Sequence, residues 1–335
     1  MTEPAAKSLT ALSGGRLLRD CLLLLAATMA VAVACSMVGV AELTANVWRM
    51  RLVRLATAGL VGSALAAAGM ALQALLRNPL AEPYILGVSS GAGVGVLVGS
   101  VLVARGLLRA GWATTPALAL IGAVASCAVV YGIAQRRGRL DPYVLLLSGV
   151  IINVFNGALM LAILLLSRSA DIINFVGWGM GQVSDATDSS LLGLCTACVL
   201  TGWAVLFARG AWFNAIGLGD DVAGSVGVPV HWLRVETFAL AALMTAAAVA
   251  LAGPVGFVGL IVPHVCRIIV GADHRRLVLF SGFVGAMFLM AADTLCRTAG
   301  EWVSVGSLPV GIITALTGGP FFIHLLRGRL KETAA

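Results

Sequence analysis

The sequence predicts an all-α polytopic membrane protein. Of its 335 residues, 60% are hydrophobic and only 11% are charged, and the mean hydropathy is +1.00, whereas a soluble domain carries about 25% charged residues. Nine long windows lack Asp, Glu, Lys and Arg, and each is a candidate span because a bilayer core requires about 20 apolar residues of helix. The windows are 21–41, 55–76, 83–104, 110–135, 142–167, 189–208, 237–266, 277–292 and 302–326. An ordinary soluble globular protein is excluded.

One window is too long for a single span. Residues 237–266 would form a helix of about 45 Å, which exceeds the thickness of the hydrocarbon core. The window also contains the helix-breaking pair Gly253-Pro254. We therefore interpret it as one full span followed by a short one, which gives ten transmembrane helices in a single permeation domain covering residues 1–335.

The positive charges test this count independently, because short cytoplasmic loops carry an excess of Lys and Arg. With ten spans and a cytoplasmic N-terminal tail of residues 1–18, 15 of the 22 basic residues lie on the cytoplasmic side, whereas nine spans place only 10 there. Ten spans with both termini in the cytoplasm are therefore predicted. The net charge of +7 then reflects basic loops, and no nucleic-acid partner is expected.

The N-terminal segment allows an alternative interpretation. Lys7, Arg16 and Arg19 precede an apolar run that ends at Cys35, as in a secretory signal peptide. We interpret the segment as the first span, because keeping it preserves the agreement between span count and charge distribution.

Two segments half a chain apart resemble each other. Residues 77–83 lead into the glycine-rich stretch 87–93, residues 252–259 have a similar composition, and Pro79 and Pro254 are 175 residues apart. Because a shift of five spans reverses orientation, this pattern predicts an inverted five-helix pseudo-repeat with broken helices in matching positions. In transporters such helices mark the central pathway. Chance similarity between glycine-rich segments is the alternative.

The sequence offers no means of using ATP on its own. Lys7 and Lys331 are its two lysines, and neither lies in a G-x-x-x-x-G-K-[ST] loop that could bind nucleotide phosphates. An ion-gradient-driven secondary transporter, the alternative, would need ionisable groups within its spans. Only Glu236 and Asp293 come close, and both lie at predicted span ends. We therefore expect a transport subunit, not an enzyme, that is driven by a separate ATPase.

Two other kinds of site have weak support. A membrane-embedded enzyme would need clustered His, Cys or acidic residues, but the four histidines are dispersed near span ends. Cys195 and Cys198 have the spacing of metal ligands, but no His or carboxylate is adjacent in sequence, and thiols in apolar runs commonly pack as small hydrophobic groups. No catalytic residue, metal site or cofactor of the chain's own is expected.

Several polar side chains that do not titrate lie within the predicted spans. They suit the wall of a wet passage, although hydrogen bonding between helices is an alternative for each of them. The candidate pathway-lining residues are Gln73, Ser89, Ser90, Asn153 and Asn156.

The connection between spans 6 and 7 predicts two short helices at the membrane surface. Asp220 and Asp221 are typical of the first turn of a helix, Gly227 is a candidate terminator, and Pro229 follows it. Such a rigid feature would let a motor protein push on the membrane domain. An ordinary surface loop is the alternative.

Several long motifs after residue 45 occur in a familiar order. They are Arg51-Leu-Val-Arg54 and the stretches 69–83, 85–93, 219–228, 253–264, 292–297 and 308–320. Together they resemble the permease subunits of the FecCD family, which are the membrane subunits of type II ABC importers for iron-siderophore complexes, haem and cobalamin.

The resemblance implies the type II ABC importer permease fold and a set of partners. It implies a homodimer of two permease copies around a central path, two cytoplasmic ATPase subunits that bind ATP and Mg, and a periplasmic or lipid-anchored substrate-binding protein. The implied location is the bacterial cytoplasmic (inner) membrane. The implied cargo is an iron(III)-siderophore or a related metal chelate, with cobalamin or haem as the alternative.

The resemblance also implies residue roles. Arg51, Arg54 and Arg297 match arginines that receive acidic residues of the binding protein, a pairing that suits the guanidinium fork. Arginines that merely extend to the membrane interface are the alternative. Asn78 and Leu80 match a loop that narrows the cytoplasmic end of the path.

A second constriction is implied before span 5, where this sequence departs from the family. Asp141, Pro142 and Tyr143 stand where relatives often have small hydroxyl residues. Residues 210–230 are implied to form the coupling helices that contact the ATPases, with Gly224 standing where many relatives carry Arg. The residues implied in coupling are Gly217, Gly219, Asp220, Asp221, Val222, Ala223 and Gly227.

Overall fold

The computed structural model describes residues 14–39, 44–109, 111, 114–136, 139–185, 187–303 and 307–334. Within these residues the regular secondary structure is helical apart from a short antiparallel hairpin, in which the strands β1 (Gln135–Arg136) and β2 (Arg139–Leu140) pair. The helices are α1 (Gly14–Met37), α2 (Ala45–Leu75), α3 (Val88–Ala104), α4 (Thr114–Ala134), α5 (Pro142–Leu165), α6 (Ser169–Gly179), α7 (Ser189–Ala208), α8 (Gly210–Gly217), α9 (Asp220–Ser225), α10 (Val230–Ala252), α11 (Val258–Val270), α12 (His274–Val303) and α13 (Val310–Ala334).

Seven of the described helices are long and apolar enough to cross a membrane: α1, α2, α4, α5, α7, α10 and α12. Three shorter apolar helices, α3, α11 and the Val310–Ile323 part of α13, fall in the remaining predicted spans. The chain is therefore a multi-pass membrane protein, and the number of complete crossings stays a prediction. The N-terminal tail begins before the described residues, but α1 packs against α12, and Arg276 Nε donates to Asp20 Oδ2 over 2.9 Å.

Two features differ from the sequence interpretation. The window 277–292 is too short, because α12 continues through Asp293 and Arg297 to Val303. Charged residues ended the window, but a buried ion pair accommodates the first of them within the helix. A further helix, α6, occupies part of the connection between α5 and α7, which lies outside the nine apolar windows.

The core contains α2, α10 and α12, which are mostly buried, while α1, α5 and α7 expose most of their apolar side chains. The central helix of each half of the chain packs against helices of the other half. In the first half α2 packs against α12 and α11, and in the second half α10 packs against α4 and α3. This reciprocal arrangement is the one that two related halves produce.

Glycines set the closest helix crossings. A Cβ built on Gly62 of α2 would lie 2.1 Å from the carbonyl oxygen of Gly285 in α12, and one on Gly69 would lie 1.9 Å from the carbonyl oxygen of Gly259 in α11. Only residues without a side chain allow backbones to approach so closely, as is common for helices in membranes.

The predicted helix breaks are present in both halves, and they meet each other. Helix α10 ends at Gly253, which has a φ of 66°, and α11 begins only after Phe257. In the first half a 3₁₀ turn, Pro83–Leu86, precedes α3. The hydroxyl of Tyr84 donates to Val255 O over 3.0 Å and accepts from Val255 N over 2.8 Å. The break expected at Gly253-Pro254 is confirmed.

Helix α2 defines the two ends of the molecule. Arg54 lies in the first third of α2 and Arg77 just beyond its last residue, so about 34 Å along the helix axis separate them. We call the first the Arg54 end and the second the Asp220 end, after the α9 residue that contacts Arg77. The helix breaks lie between the two ends, since Gly259 is level with Gly69.

Candidate functional site

A buried ion-pair cluster lies at the Arg54 end. The Arg54 side chain is 4% exposed, and its Nε and Nη2 atoms donate to the two carboxylate oxygens of Asp293 over 2.8 and 3.0 Å. Nη1 donates to Asp185 Oδ1 over 2.8 Å, and Nη2 also donates to Ser307 Oγ. This arginine therefore joins α2 to α12 and to two interhelical connections, and it lines a cavity of about 530 Å³.

Arg54 has an internal role that the sequence interpretation missed. Its fork is occupied by two carboxylates of the same chain, so it offers no free donor pair at the surface. Asp293 lies 239 residues away in sequence, which no local pattern could reveal. Asp185 and Ser307 were missed as well, and the only available signal was that both lie in polar connections next to spans.

Arg51 and Arg297 lie close together at the same end, and both donate hydrogen bonds to carbonyls at the C-terminal end of helix α1. Arg51 Nη1 donates to Ser36 O over 3.1 Å, and Arg297 Nη2 donates to Cys35 O and Val38 O over 3.2 and 2.8 Å. The carbonyls of Cys35 and Ser36 belong to the last turn of α1 and that of Val38 follows it, where unpaired oxygens and the helix dipole favour a cation. The structure thus brings together the three arginines that the sequence singles out, and their docking role stays a prediction.

The two acidic residues that a gradient-driven carrier would use both have basic partners. Asp293 pairs with Arg54, and Glu236 accepts from Arg209 Nε and Nη2 over 2.8 and 3.1 Å. These hydrogen bonds to Glu236 raise the pKa of the Arg209 guanidinium. Neither acid is an isolated ionisable group in a membrane span.

Most of the polar residues predicted to line a pathway hydrogen-bond helices together. Ser90 Oγ donates to Asn153 Oδ1 over 2.7 Å, and Asn156 Nδ2 donates to Ser90 Oγ and Ser126 Oγ, both over 3.0 Å. Asn153 Nδ2 donates to the carbonyls of the 3₁₀ turn, Tyr84 O and Ile85 O. These bonds join α3, α4 and α5 and satisfy carbonyls that the helix break releases.

Gln73 and Ser89 complete the predicted pathway set. Gln73 is buried in α2, and its Nε2 donates to Gly259 O over 3.2 Å and to Leu260 O over 3.4 Å, next to the Gly69 crossing. Ser89 is half-buried in the first turn of α3. Interhelical hydrogen bonding thus accounts for Gln73, and the pathway role of both residues stays a prediction.

The two short helices expected before α10 are confirmed as α8 and α9. Asp220 and Asp221 form the first turn of α9, and Gly227 follows its end with a φ of 84°. In α9 Ala223 is buried, whereas Val222 is exposed, and Gly217 and Gly219 lie at the junction with α8. The outer surface here is apolar, through the exposed side chains of Leu218, Val222, Val226 and Trp232.

Two ion pairs and a hydrogen-bonded group hold these helices to the body. Asp220 accepts from Arg77 and, over 2.6 Å, from Arg234 Nη2. Asn214 of α8 donates to Asp273 Oδ1 over 3.1 Å and accepts from His274 N over 2.9 Å, at the start of α12. The Arg209–Glu236 pair lies nearby but joins the end of α7 to α10. The helices are therefore connected to α2, α10 and α12.

The predicted constriction residues lie in the loop after α2 and at the start of α5. Asn78 Oδ1 accepts from Leu80 N over 3.0 Å and shapes the loop after α2. Asp141 is the N-cap of α5 and accepts from Tyr143 N over 2.9 Å, and Pro142 is the first helical residue. The Tyr143 side chain is exposed. Asp141 and Pro142 thus have a clear local role in starting α5, and their role in a constriction stays a prediction.

The described residues contain no group of three or more His, Cys, Asp or Glu side chains that could hold a metal ion. Cys195 and Cys198 lie on α7, where Cys195 is buried in the core.

Comparisons with known proteins agree on one family. The model of the FecCD transport family matches residues 21–328. The cobalamin import system permease protein BtuC of Halobacterium salinarum is 40% identical over 281 residues, which are 84% of this chain and 73% of that protein. The hemin transport system permease protein HmuU of Yersinia pestis is 36% identical over 290 residues, 84% of this chain and 83% of that protein.

A solved structure has the same fold. A metal-chelate type ABC transporter in an inward-facing conformation superposes with a TM-score of 0.80 at 27% identity, over 92% of this chain and 98% of that chain.

Proposed function

The chain belongs to the FecCD transport family, and on that premise we propose that it is the permease subunit of a binding-protein-dependent ABC importer. Two copies surround a central path in the cytoplasmic membrane of a bacterium. Two ATPase subunits bind ATP and Mg on the cytoplasmic side, and a binding protein delivers the cargo from the other side.

The observation that carries the proposal is the pair of short helices α8 and α9. Helix α9 presents the exposed side chain of Val222, Leu218 and Val226 flank α9, and Trp232 lies beside them in the first turn of α10, on an otherwise ion-paired surface. Exposed apolar patches of this kind mark contact sites for other proteins. The sequence has no phosphate-binding loop of its own. The partner that we place on this apolar surface is therefore an ATPase subunit.

The two ends of the molecule then have different partners. The excess of basic residues assigns the Asp220 end to the cytoplasm, where the ATPases contact α8 and α9. The Arg54 end faces outward, and the half-buried Arg297, with the buried Arg51 beside it, forms the basic patch that receives acidic residues of the binding protein. Arg54 supports this patch from within through Asp293, which lies one turn before Arg297.

Transport proceeds by alternating access. Closure of the ATPases on ATP moves α8 and α9, and the constrictions at 78–80 and at 141–143 open and close in response. The helix breaks that meet at Tyr84 and Val255 give the two halves of the chain a common hinge point. A passage that binds its cargo weakly is expected, because a bulky chelate must leave the path and not be recaptured.

We assign an iron(III)-siderophore or a related metal chelate as cargo, with cobalamin or haem as the second candidate. The relatives named above include a cobalamin permease and a hemin permease, and the likeness to a metal-chelate type transporter supports the wider class.

The test of the proposed function is uptake by reconstituted vesicles. Vesicles that contain the permease, its ATPase and luminal-side ATP are given the binding protein loaded with a ferric siderophore, haem or cobalamin. We expect ATP-dependent uptake of one of the three, and no uptake when the ATPase is omitted. Absence of ATP-driven uptake for all three, with a binding protein that binds its cargo, would contradict the proposal.

A second prediction concerns docking at the Arg54 end. Arg51→Glu combined with Arg297→Glu is expected to weaken binding of the binding protein by about tenfold or more, because opposed charges become like charges. Arg54 is left unchanged, since its replacement would leave the buried Asp293 carboxylate without its cation. Because Arg51 is buried as well, Arg297→Glu alone is measured beside the double variant. Arg105→Glu is the matched control, because Arg105 is an exposed arginine at the end of α3.

The docking measurement is a titration of immobilised permease with binding protein at low salt. Undiminished affinity of the double variant, with a folded α1, would remove the docking role from Arg51 and Arg297. An equal loss in Arg105→Glu would show that only net charge matters.

A further inference from the structure

We propose that Arg77 is the residue through which movement of α8 and α9 reaches the loop 78–80. The inference rests on the proposed function, since it assumes that the ATPases move these helices. It assigns a positioning role to an arginine that pairs with the first residue of α9.

The backbone at Arg77 is unusual. Helix α2 ends in a Schellman motif, in which Asn78 N donates to Gln73 O over 3.1 Å and Arg77 N donates to Ala74 O over 3.4 Å. In this motif the first residue beyond the helix cap adopts a left-handed conformation. Here that residue is Arg77, which has a φ of 48°. Glycine is the usual residue at this position. A sequence with 40 glycines has an arginine here instead.

The side chain of Arg77 reaches the first residue of α9. Its Nη2 atom donates to Asp220 Oδ1, while Arg234 at the start of α10 donates to Asp220 Oδ2. The Arg77 and Asp220 side chains are 43% and 40% exposed. An ion pair this exposed contributes little to folding stability, so stability does not explain why an arginine occupies a position that favours glycine. The feature it does provide is a direct connection between α9 and the end of α2.

The connection continues from Arg77 to the centre of the molecule. The next residue, Asn78, accepts from Leu80 N and holds the loop in a turn. Glu82 Oε1 accepts from Phe257 N over 2.7 Å, and Tyr84 bonds both backbone atoms of Val255. The short segment from Arg77 to Tyr84 therefore joins α9 at one end and the break before α11 at the other.

The other attachments of the short helices do not reach this loop. Asn214 connects α8 to Asp273 and His274 at the start of α12. Arg209 and Glu236 connect the end of α7 to α10. Of the ion pairs between α9 and the body in the described residues, Arg77–Asp220 is the one whose basic partner is adjacent to Asn78.

The experiment uses the complete complex of permease, ATPase and loaded binding protein in vesicles, and it measures ATP hydrolysis and cargo uptake on the same preparation. Arg77→Gly removes the side chain and places the preferred residue in the left-handed position, so the fold is retained or stabilised. We expect uptake per ATP hydrolysed to fall by about tenfold or more, because the direct connection between α9 and the loop 78–80 is lost. The ATPase should remain bound and hydrolyse ATP at close to the wild-type rate.

Two further variants separate positioning from general damage. Arg77→Lys keeps the positive charge and should retain most of the uptake per ATP. Arg209→Gln breaks the neighbouring pair with Glu236, which does not contact the loop, and should leave the ratio unchanged.

Wild-type uptake per ATP in Arg77→Gly would overturn the inference. Loss of ATPase binding in that variant would also overturn it, because Arg77 would then belong to the docking surface. If the wild-type complex itself shows no ATP-driven uptake, the proposed function fails, and this result is distinct from either outcome.

Discussion

Replacing Arg54 with alanine is expected to lower the free energy of unfolding by about 3–5 kcal/mol, the range observed when one partner of a buried ion pair is removed. The Asp293 side chain is only 2% exposed, and without Arg54 its carboxylate would remain buried without a cationic partner. Thermal unfolding of the detergent-solubilised chain, followed by circular dichroism and size-exclusion chromatography, measures the loss.

Two other variants test the cause of this loss. Asp185→Ala should cost less than about 1 kcal/mol, because the Asp185 side chain is 57% exposed and water can replace its contact with Arg54. The double variant Arg54→Met with Asp293→Leu should be more stable than Arg54→Ala, since replacing both buried charges by apolar groups leaves no unpaired ion. Equal stability of the double variant and Arg54→Ala would contradict the account.

Gly69→Val is expected to be among the most damaging substitutions in the core. A Cβ at this position would lie 1.9 Å from the carbonyl oxygen of Gly259, and a backbone atom cannot move aside as a flexible side chain can. Overpacking typically costs about 1–3 kcal/mol, and more where the backbone must shift. Helices α2 and α11 would separate, and the hydrogen bond from Gln73 to Gly259 O would be lost with the contact.

Gly132→Ala is the matched control. Gly132 lies within α4, and a Cβ there would meet no atom within 4 Å, so alanine should be neutral or stabilising through its higher helix propensity. Thermal unfolding and the yield of folded protein after extraction compare the two variants. A Gly69→Val protein as stable as Gly132→Ala would show that the crossing of α2 and α11 is not constrained.

Local features of the fold could be predicted from the sequence because they depend on short-range chemistry. Runs of apolar residues identified the long helices, Gly253-Pro254 identified the break after α10, and Asp220 with Gly227 identified the bounds of α9. In each case a few neighbouring residues determine the backbone conformation.

Features that depend on distant contacts could not be predicted in this way. Asp293 looked like the end of a span, because nothing near it in sequence indicates that Arg54 neutralises it inside α12. Asn153 and Ser90 looked suited to a wet passage, but the structure uses them to bond α5 to α3 and to the 3₁₀ turn. A polar residue in a membrane span is informative only once its partner is known.

Some residues of the candidate site could be identified from the sequence, and others only from the structure. The resemblance to a family identified Arg51, Arg54 and Arg297 as a group, and the structure brings them together at one end. The connection between Arg77 and Asp220 joins residues 143 positions apart, and it could be found only from the structure.

The central claim is that this chain is a path driven by a separate ATPase. The most direct measurement compares accumulation of cargo in vesicles under two conditions: ATP and the ATPase with all ion gradients collapsed, and an imposed proton or sodium gradient with the permease alone. The account predicts accumulation against the concentration gradient in the first condition and none in the second. Accumulation by the permease alone, driven by an ion gradient, would contradict it.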